Sequence, residues 1–212
     1  MKRFFLAAAL LLCVSALLNA QESEEDYSIP VSFTGQRPVI SDFVSAILSQ
    51  EEDLGESLGE MADVWQLYKA GKPLPEGRSF VVDTKNGYFR YDCSDKDEDG
   101  NVYSTFIEFC YWNCSNGLRK LVAENTVCFQ NGKPFMGQYS GLSFLMYDNK
   151  TRKLNLVYDD LGLDFDFPDG IEVITHKLPQ TGKTMEYHFH TSSGEVIKKL
   201  TWNGINFVEN AE

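Results

Sequence analysis

The residues best placed for chemistry are the carboxylates of Asp95-Lys96-Asp97-Glu98-Asp99-Gly100-Asn101-Val102. Asp95, Asp97 and Asp99 stand at alternate positions, Gly100 permits the sharp turn after them, and Asn101 adds another oxygen. This is the first half of a calcium loop, in which the ion takes roughly six to eight hard oxygen ligands. The second half departs from the pattern. Phe106 occupies the place of the bidentate Glu, Glu108 lies two residues further on, and the flanks read as strands rather than helices. Asp95, Asp97, Asp99 and Asn101 are thus expected to hold calcium only with donors supplied from elsewhere in the chain. Without them the segment is an acidic hairpin tip turning at Asp99-Gly100. No other cofactor is indicated.

A second acidic cluster, Asp159, Asp160, Asp164, Asp166 and Asp169, raises calcium again or a carboxylate pair for glycoside hydrolysis. Asp164 and Asp166 are expected on one face of a strand, where nothing separates an acid from a base role. His188 and His190 share a strand face, and a third histidine such as His176 from a neighbouring strand would complete three nitrogen ligands for zinc. Met185, Tyr187 and Phe189 alternate with them, however, so the two histidines also fit ordinary solvent-facing positions. Ser140 in Gly137-Gln138-Tyr139-Ser140-Gly141 misses the nucleophile-elbow spacing by one residue, and the chain has no His-Glu-x-x-His and no phosphate-binding glycine loop. No catalytic residue is assigned.

Residues 1–20 read as a secretory signal peptide: Lys2 and Arg3, then an apolar run from Phe4 to Leu12, then Leu18-Asn19-Ala20 at the cleavage point. Leu12 argues against lipidation at Cys13. Export leaves Cys93, Cys110, Cys114 and Cys128 in a compartment that permits disulfides, and at least one bridge is expected. A meander would separate Cys93 from Cys128 by a strand, which disfavours that pair. Cys110-Tyr111-Trp112-Asn113-Cys114 has one spacer too many for the redox motif.

The elements that position these groups follow from periodicity. Residues 21–38 read as a flexible acidic leader, with Glu22, Glu24, Glu25 and Asp26 repelling and Pro30 and Pro38 discouraging a helix. Helices follow over about 41–70. Ser41 serves as N-cap to a stripe of Phe43, Val44, Ile47 and Leu48, and a second stripe runs Leu54, Leu58, Met61, Trp65, Tyr68 until Gly71 and Pro73. From Ser79 the period becomes two. Asn86-Gly87, Asn116-Gly117, Asn131-Gly132, Asn203-Gly204, Asp99-Gly100 and Asp169-Gly170 supply the turns. Strands so close together must pair antiparallel. The fold expected is mainly β, an antiparallel meander closed into a barrel or folded into a sandwich, with an N-terminal helical segment, all within one domain over 39–208.

Composition narrows the function. The 212 residues carry 19 basic against 31 acidic side chains, a formal net charge of −12, and 13% aromatics. The aromatic content excludes disorder, and the acidity argues against nucleic acid and against an anionic lipid surface. Beyond the leader no segment is apolar enough to insert in a membrane. Tyr88, Tyr103, Tyr111, Trp112, Tyr139, Tyr147, Tyr158 and Trp202 are flat amphipathic surfaces suited to sugars or peptides. The Asn19-Ala20-Gln21 junction, the Cys110–Cys114 segment and the closing Leu200-Thr201-Trp202-Asn203-Gly204 resemble small secreted proteins of Bacteroidales bacteria, in general style over residues 40–208. The resemblance implies a Gram-negative exported protein, periplasmic or extracellular, and no catalytic residue. The expectation is a non-enzymatic binding or accessory protein for a glycan, a peptide or an envelope protein. The alternative is a hydrolase of envelope or dietary polymers that uses the acidic residues.

Overall fold

A computed structural model describes residues 28–50, 56–137, 140–157 and 161–210. The signal peptide with its Cys13, the acids at 22–26, Leu54, Tyr139, Tyr158, Asp159 and Asp160 lie outside the described residues. Strand β1 (Ser28–Pro30) precedes two helices, α1 (Ile40–Ile47) and α2 (Glu56–Lys69). The strands that follow are β2 (Arg78–Asp83), β3 (Tyr88–Lys96), β4 (Val102–Asn113), β5 (Arg119–Gln130), β6 (Lys133–Phe135), β7 (Gly141–Asp148) and β8 (Lys153–Leu156). Then come β9 (Ile171–Lys177), β10 (Thr184–Thr191), β11 (Gly194–Trp202) and β12 (Phe207–Glu209).

Two antiparallel sheets form, and neither closes into a barrel. The larger has the order β1-β8-β7-β5-β4-β3-β2, with β6 a short spur on β5, and the smaller has the order β12-β11-β10-β9. The helices pack on one face of the large sheet and the small sheet on the other. Alternation sorts the side chains accordingly. From β4, Ile107, Phe109 and Tyr111 join the helix-side core, while Cys110 and Trp112 join the core between the sheets. A strand buried on both faces has no polar face, which is why β4 and β5 read as nearly continuous apolar runs.

Short α1 is stable only because it is packed. Phe43, wholly buried, meets Tyr111 and Tyr147 edge-on at 5.5 and 5.0 Å; burying such a ring contributes about 2–3 kcal/mol. Trp65 of α2 donates from Nε1 to Ser45 Oγ at 3.0 Å and packs edge-on against Phe89. Gly87 turns β2 into β3 at φ +71°, and a Cβ there would come within 2.7 Å of the Tyr111 ring, so only glycine serves. Across the sandwich, Phe207 sits against both Trp112 and Trp202, and Trp202 Nε1 donates to Asn113 O at 3.1 Å.

Three expectations change. The leader gives way at Ser28 to strand β1, whose Ile29 is buried opposite Leu154 of β8. Helix α1 starts before Ser41, and its cap is the bond from Val39 N–H to Asp42 Oδ2 at 2.8 Å. All four cysteines are free thiols. Cys93 and Cys128 register against Thr105 from opposite sides, two strand spacings or about 9–10 Å apart, beyond the ~7 Å that a bridge spans. Cys110 and Cys114 are four residues apart along the same extended chain, about 13 Å. No helix among the described residues is long and apolar enough to cross a membrane.

Candidate anion-binding site

The structure disperses the groups singled out from the sequence. Asp95 receives both arms of the Arg78 guanidinium at 2.7 Å each. Asp97 accepts from Asn101 N–H and Asn101 Nδ2 at 2.8 and 2.9 Å, which lowers its pKa, and Asn101 Oδ1 in turn accepts from Asn131 Nδ2. Asp99 is exposed at the turn. Asp95 is thus turned toward β2 and Asp97 toward its own turn, and among the described residues no three His, Cys, Asp or Glu side chains gather as metal ligands. Asp164 and Asp166 are exposed in a loop, not on a strand.

The histidines separate as well. His188 contacts Glu195 Oε1 through Nδ1 at 3.0 Å and Glu186 Oε2 through Nε2 at 3.2 Å, and His190 Nε2 lies 3.0 Å from Thr175 Oγ1. His176 is registered with Tyr187, so it faces the opposite side of the small sheet, its ring edge-on to Tyr187 at 4.5 Å. Burial, with a smaller contribution from His188, lowers the His176 pKa to about 4.

Between the sheets lies Glu108, 1% exposed. It accepts from Tyr88 Oη at 2.7 Å, from Asn125 Nδ2 and Leu178 N–H at 3.1 Å each, and from Arg90 at 3.4 Å. Asn125 Nδ2 also donates to His176 O at 2.9 Å. This carboxylate joins β3, β4 and β5 to the end of β9, and every contact is structural. On the helix side of β5, Glu124 is half-buried between its cross-strand neighbours Phe109 and Ser143. Burial alone lifts its pKa to about 7.

The strongest constellation was not visible in any motif. Where the β4–β5 and β7–β8 turns meet the loop leading into α1, a cavity of about 180 Å³ is lined by Arg37, Arg119, Lys120 and Arg152. Asn113, Asn149, Gln36, Tyr147 and Phe33 complete its wall, with no carboxylate among the lining residues. The turns are tied to one another by Asn149 N–H donating to Leu118 O at 3.0 Å and Asn149 Nδ2 to Gly117 O at 3.3 Å. The loop is fixed by Val31 N–H donating to Arg152 O at 2.9 Å.

Lys120 is the centre of this group. Only 7% exposed, its Nζ donates to the neutral Asn113 Oδ1 at 2.7 Å and stands 4.1 Å over the Tyr111 ring. Among the described residues it has no ion-pair partner, and burial followed by repulsion from Arg37 lowers its pKa. A buried cation without a counter-charge is costly, so the pocket is electrostatically incomplete. Arg119 reaches Asp148 at 3.3 Å, while Arg37 and Arg152 form no ion pair among the described residues. Arg152 also holds φ +57°, the left-handed conformation that favours glycine and costs a bulky residue about 1–2 kcal/mol. Its guanidinium lies 4.9 Å over the Phe33 ring. The chain keeps an arginine, at a local cost, where a glycine would be cheaper. Comparison of the chain with protein-family models, with curated proteins and with solved structures finds no match.

Proposed function

We propose that this chain is an exported bacterial binding protein whose ligand carries an anionic group held by Arg37, Arg119, Lys120 and Arg152. The observation that carries this reading is the buried Lys120 charge, which lacks a carboxylate partner among the described residues and lines the cavity. An anion entering the pocket meets the buried Lys120 ammonium at its wall and the exposed guanidiniums of Arg37, Arg119 and Arg152 at its rim, and charge-assisted hydrogen bonds to such donors are stronger than neutral ones. The lining supports binding rather than hydrolysis, because it has no carboxylate, imidazole or thiol to serve as general base or nucleophile. Phe33 packs against the helix-side core and carries the Arg152 guanidinium over its ring, which places that cation at the cavity. Export rests on the leader from Lys2 to Ala20 and on the resemblance to secreted Bacteroidales proteins.

Thermal-shift titration of the mature protein with acidic sugars, acidic peptides and inorganic anions tests the pocket. Saturating anion is expected to raise the melting temperature through linkage, about 2.7 kcal/mol at a hundred-fold excess over Kd, and Lys120→Met abolishes the response. Indifference to every anion refutes the reading. N-terminal sequencing of secreted protein is expected to begin at Gln21, and retention of residues 1–20 refutes export.

A further inference from the structure

We infer that the anion this pocket selects is a doubly charged phosphoryl group, a phosphomonoester or phosphate dianion, rather than a carboxylate. The inference rests on the anion-binding reading above and sharpens it. Three cations of the pocket, Arg37, Lys120 and Arg152, have no carboxylate partner among the described residues, and the fourth, Arg119, is shared with Asp148. They come from three different elements: the loop before α1, strand β5 and the β7–β8 turn. A carboxylate offers one negative charge and two oxygens in a plane, a demand met by a single guanidinium fork. It would leave two of the three unpaired cations without an anionic partner. A phosphoryl dianion offers two charges and three free oxygens directed around a tetrahedron, enough to engage cations from more than one element at once.

The Asn113 amide oxygen is occupied by Lys120, which leaves its amide nitrogen as a further donor. The cations that line the cavity favour the fully deprotonated form of the ligand, because a nearby positive charge stabilises the charged state. The cavity of about 180 Å³ admits the charged group, and the remainder of a larger ligand would lie outside it.

Isothermal titration of the mature protein distinguishes the alternatives with four probes: inorganic phosphate, glucose 6-phosphate, glucose 6-sulfate and glucuronate. At pH 7.5 the phosphoryl probes are expected to bind at least about ten-fold more tightly than the sulfate ester, which is tetrahedral with one charge, and than glucuronate. Affinity for glucose 6-phosphate is expected to fall several-fold at pH 5, below the second phosphate pKa of about 6, while glucose 6-sulfate binding holds steady. Tighter binding of the ester than of inorganic phosphate assigns a phosphorylated organic ligand, and the reverse assigns free phosphate. Glucuronate or the sulfate ester matching the phosphoryl probes overturns this inference and leaves the anion site standing. Silence from all four overturns both. Arg152→Gly provides the control for folding, because it removes a cation while relieving the positive φ. It is expected to weaken phosphate binding at least about ten-fold with no loss of melting temperature, and unchanged binding refutes the role of Arg152.

Discussion

Glu124 and His176 should conceal each other in the pH dependence of stability, and single substitutions should separate them. Burial raises the Glu124 pKa from 4.5 to about 7 and lowers that of His176 from 6.5 to about 4. Either displacement corresponds to about 3 kcal/mol. Folded protein holds the Glu124 proton that unfolded chain releases between pH 4.5 and 7. That contribution is complete below pH 4.5 and is lost as pH rises through 7. For His176 the unfolded chain takes up a proton that the folded protein refuses between pH 6.5 and 4. Its contribution is complete above pH 6.5 and is lost as pH falls through 4. The slopes are opposite over the shared window, so wild-type stability should be nearly flat from pH 4.5 to 6.5. Asp83, Asp97, Asp148 and Glu186, whose pKa values lie below their ordinary ones, act under that window. Glu124→Gln should leave stability rising with pH by up to about 1.4 kcal/mol per unit, and His176→Gln should leave it falling as steeply. At pH 7.5 Glu124→Gln should exceed wild type by about 3 kcal/mol, and at pH 4.5 the two should coincide. Urea unfolding at half-unit pH steps measures this. Two variants sloping in the same direction, or a wild type as steep as either, would refute the reasoning.

The other expectations concern the buried charges and the thiols. Lys120→Met should raise the ligand-free melting temperature by about 3–6 °C, since losing an unpaired buried cation is worth about 1–2 kcal/mol to a chain of this size; scanning calorimetry reads it, and a lowered temperature would show that the ammonium is stabilising as it stands. Glu108→Ala should cost about 3–5 kcal/mol, because Tyr88 Oη, Asn125 Nδ2 and Leu178 N–H then lose their acceptor inside the sandwich; a loss under about 1 kcal/mol in denaturant unfolding would mean that those donors find other partners. Thiol titration of denatured, unreduced mature protein should count four free cysteines, Cys93, Cys110, Cys114 and Cys128, and a count of two or none would place a bridge that this geometry does not allow.

Strands of seven residues or more were readable because each carries several periods between turn dipeptides. The period of two expected from Ser79 onward runs through the seven residues of β9 and the twelve of β4. β1 and β6 were not, being three residues long and each containing a proline, Pro30 and Pro134. Three residues hold no period, and proline demotes a strand to an edge or a spur, which is where both lie. Ser41 misled because hydroxyl N-caps are the common rule, whereas here Asp42 reaches back to the Val39 amide from inside the helix.

The pocket escaped sequence reading for a different reason. Arg37, the adjacent Arg119 and Lys120, and Arg152 come from three distant stretches of the chain, and only the pairing of β5 with β7 and the return of β1 to β8 bring these to one end of the sheet. A net charge of −12 reports the sum of the charges and says nothing of where the positive ones lie. One residue did carry a local cue. Lys120 alternates with Arg119 and Leu121 on a strand whose next residues, Val122 and Ala123, are apolar on both faces, so its side chain had to enter a core. A lysine in such a position either snorkels out or awaits a counter-charge. Asn113 and the Tyr111 ring hold its ammonium at the cavity wall, and the proposed anion would supply the counter-charge.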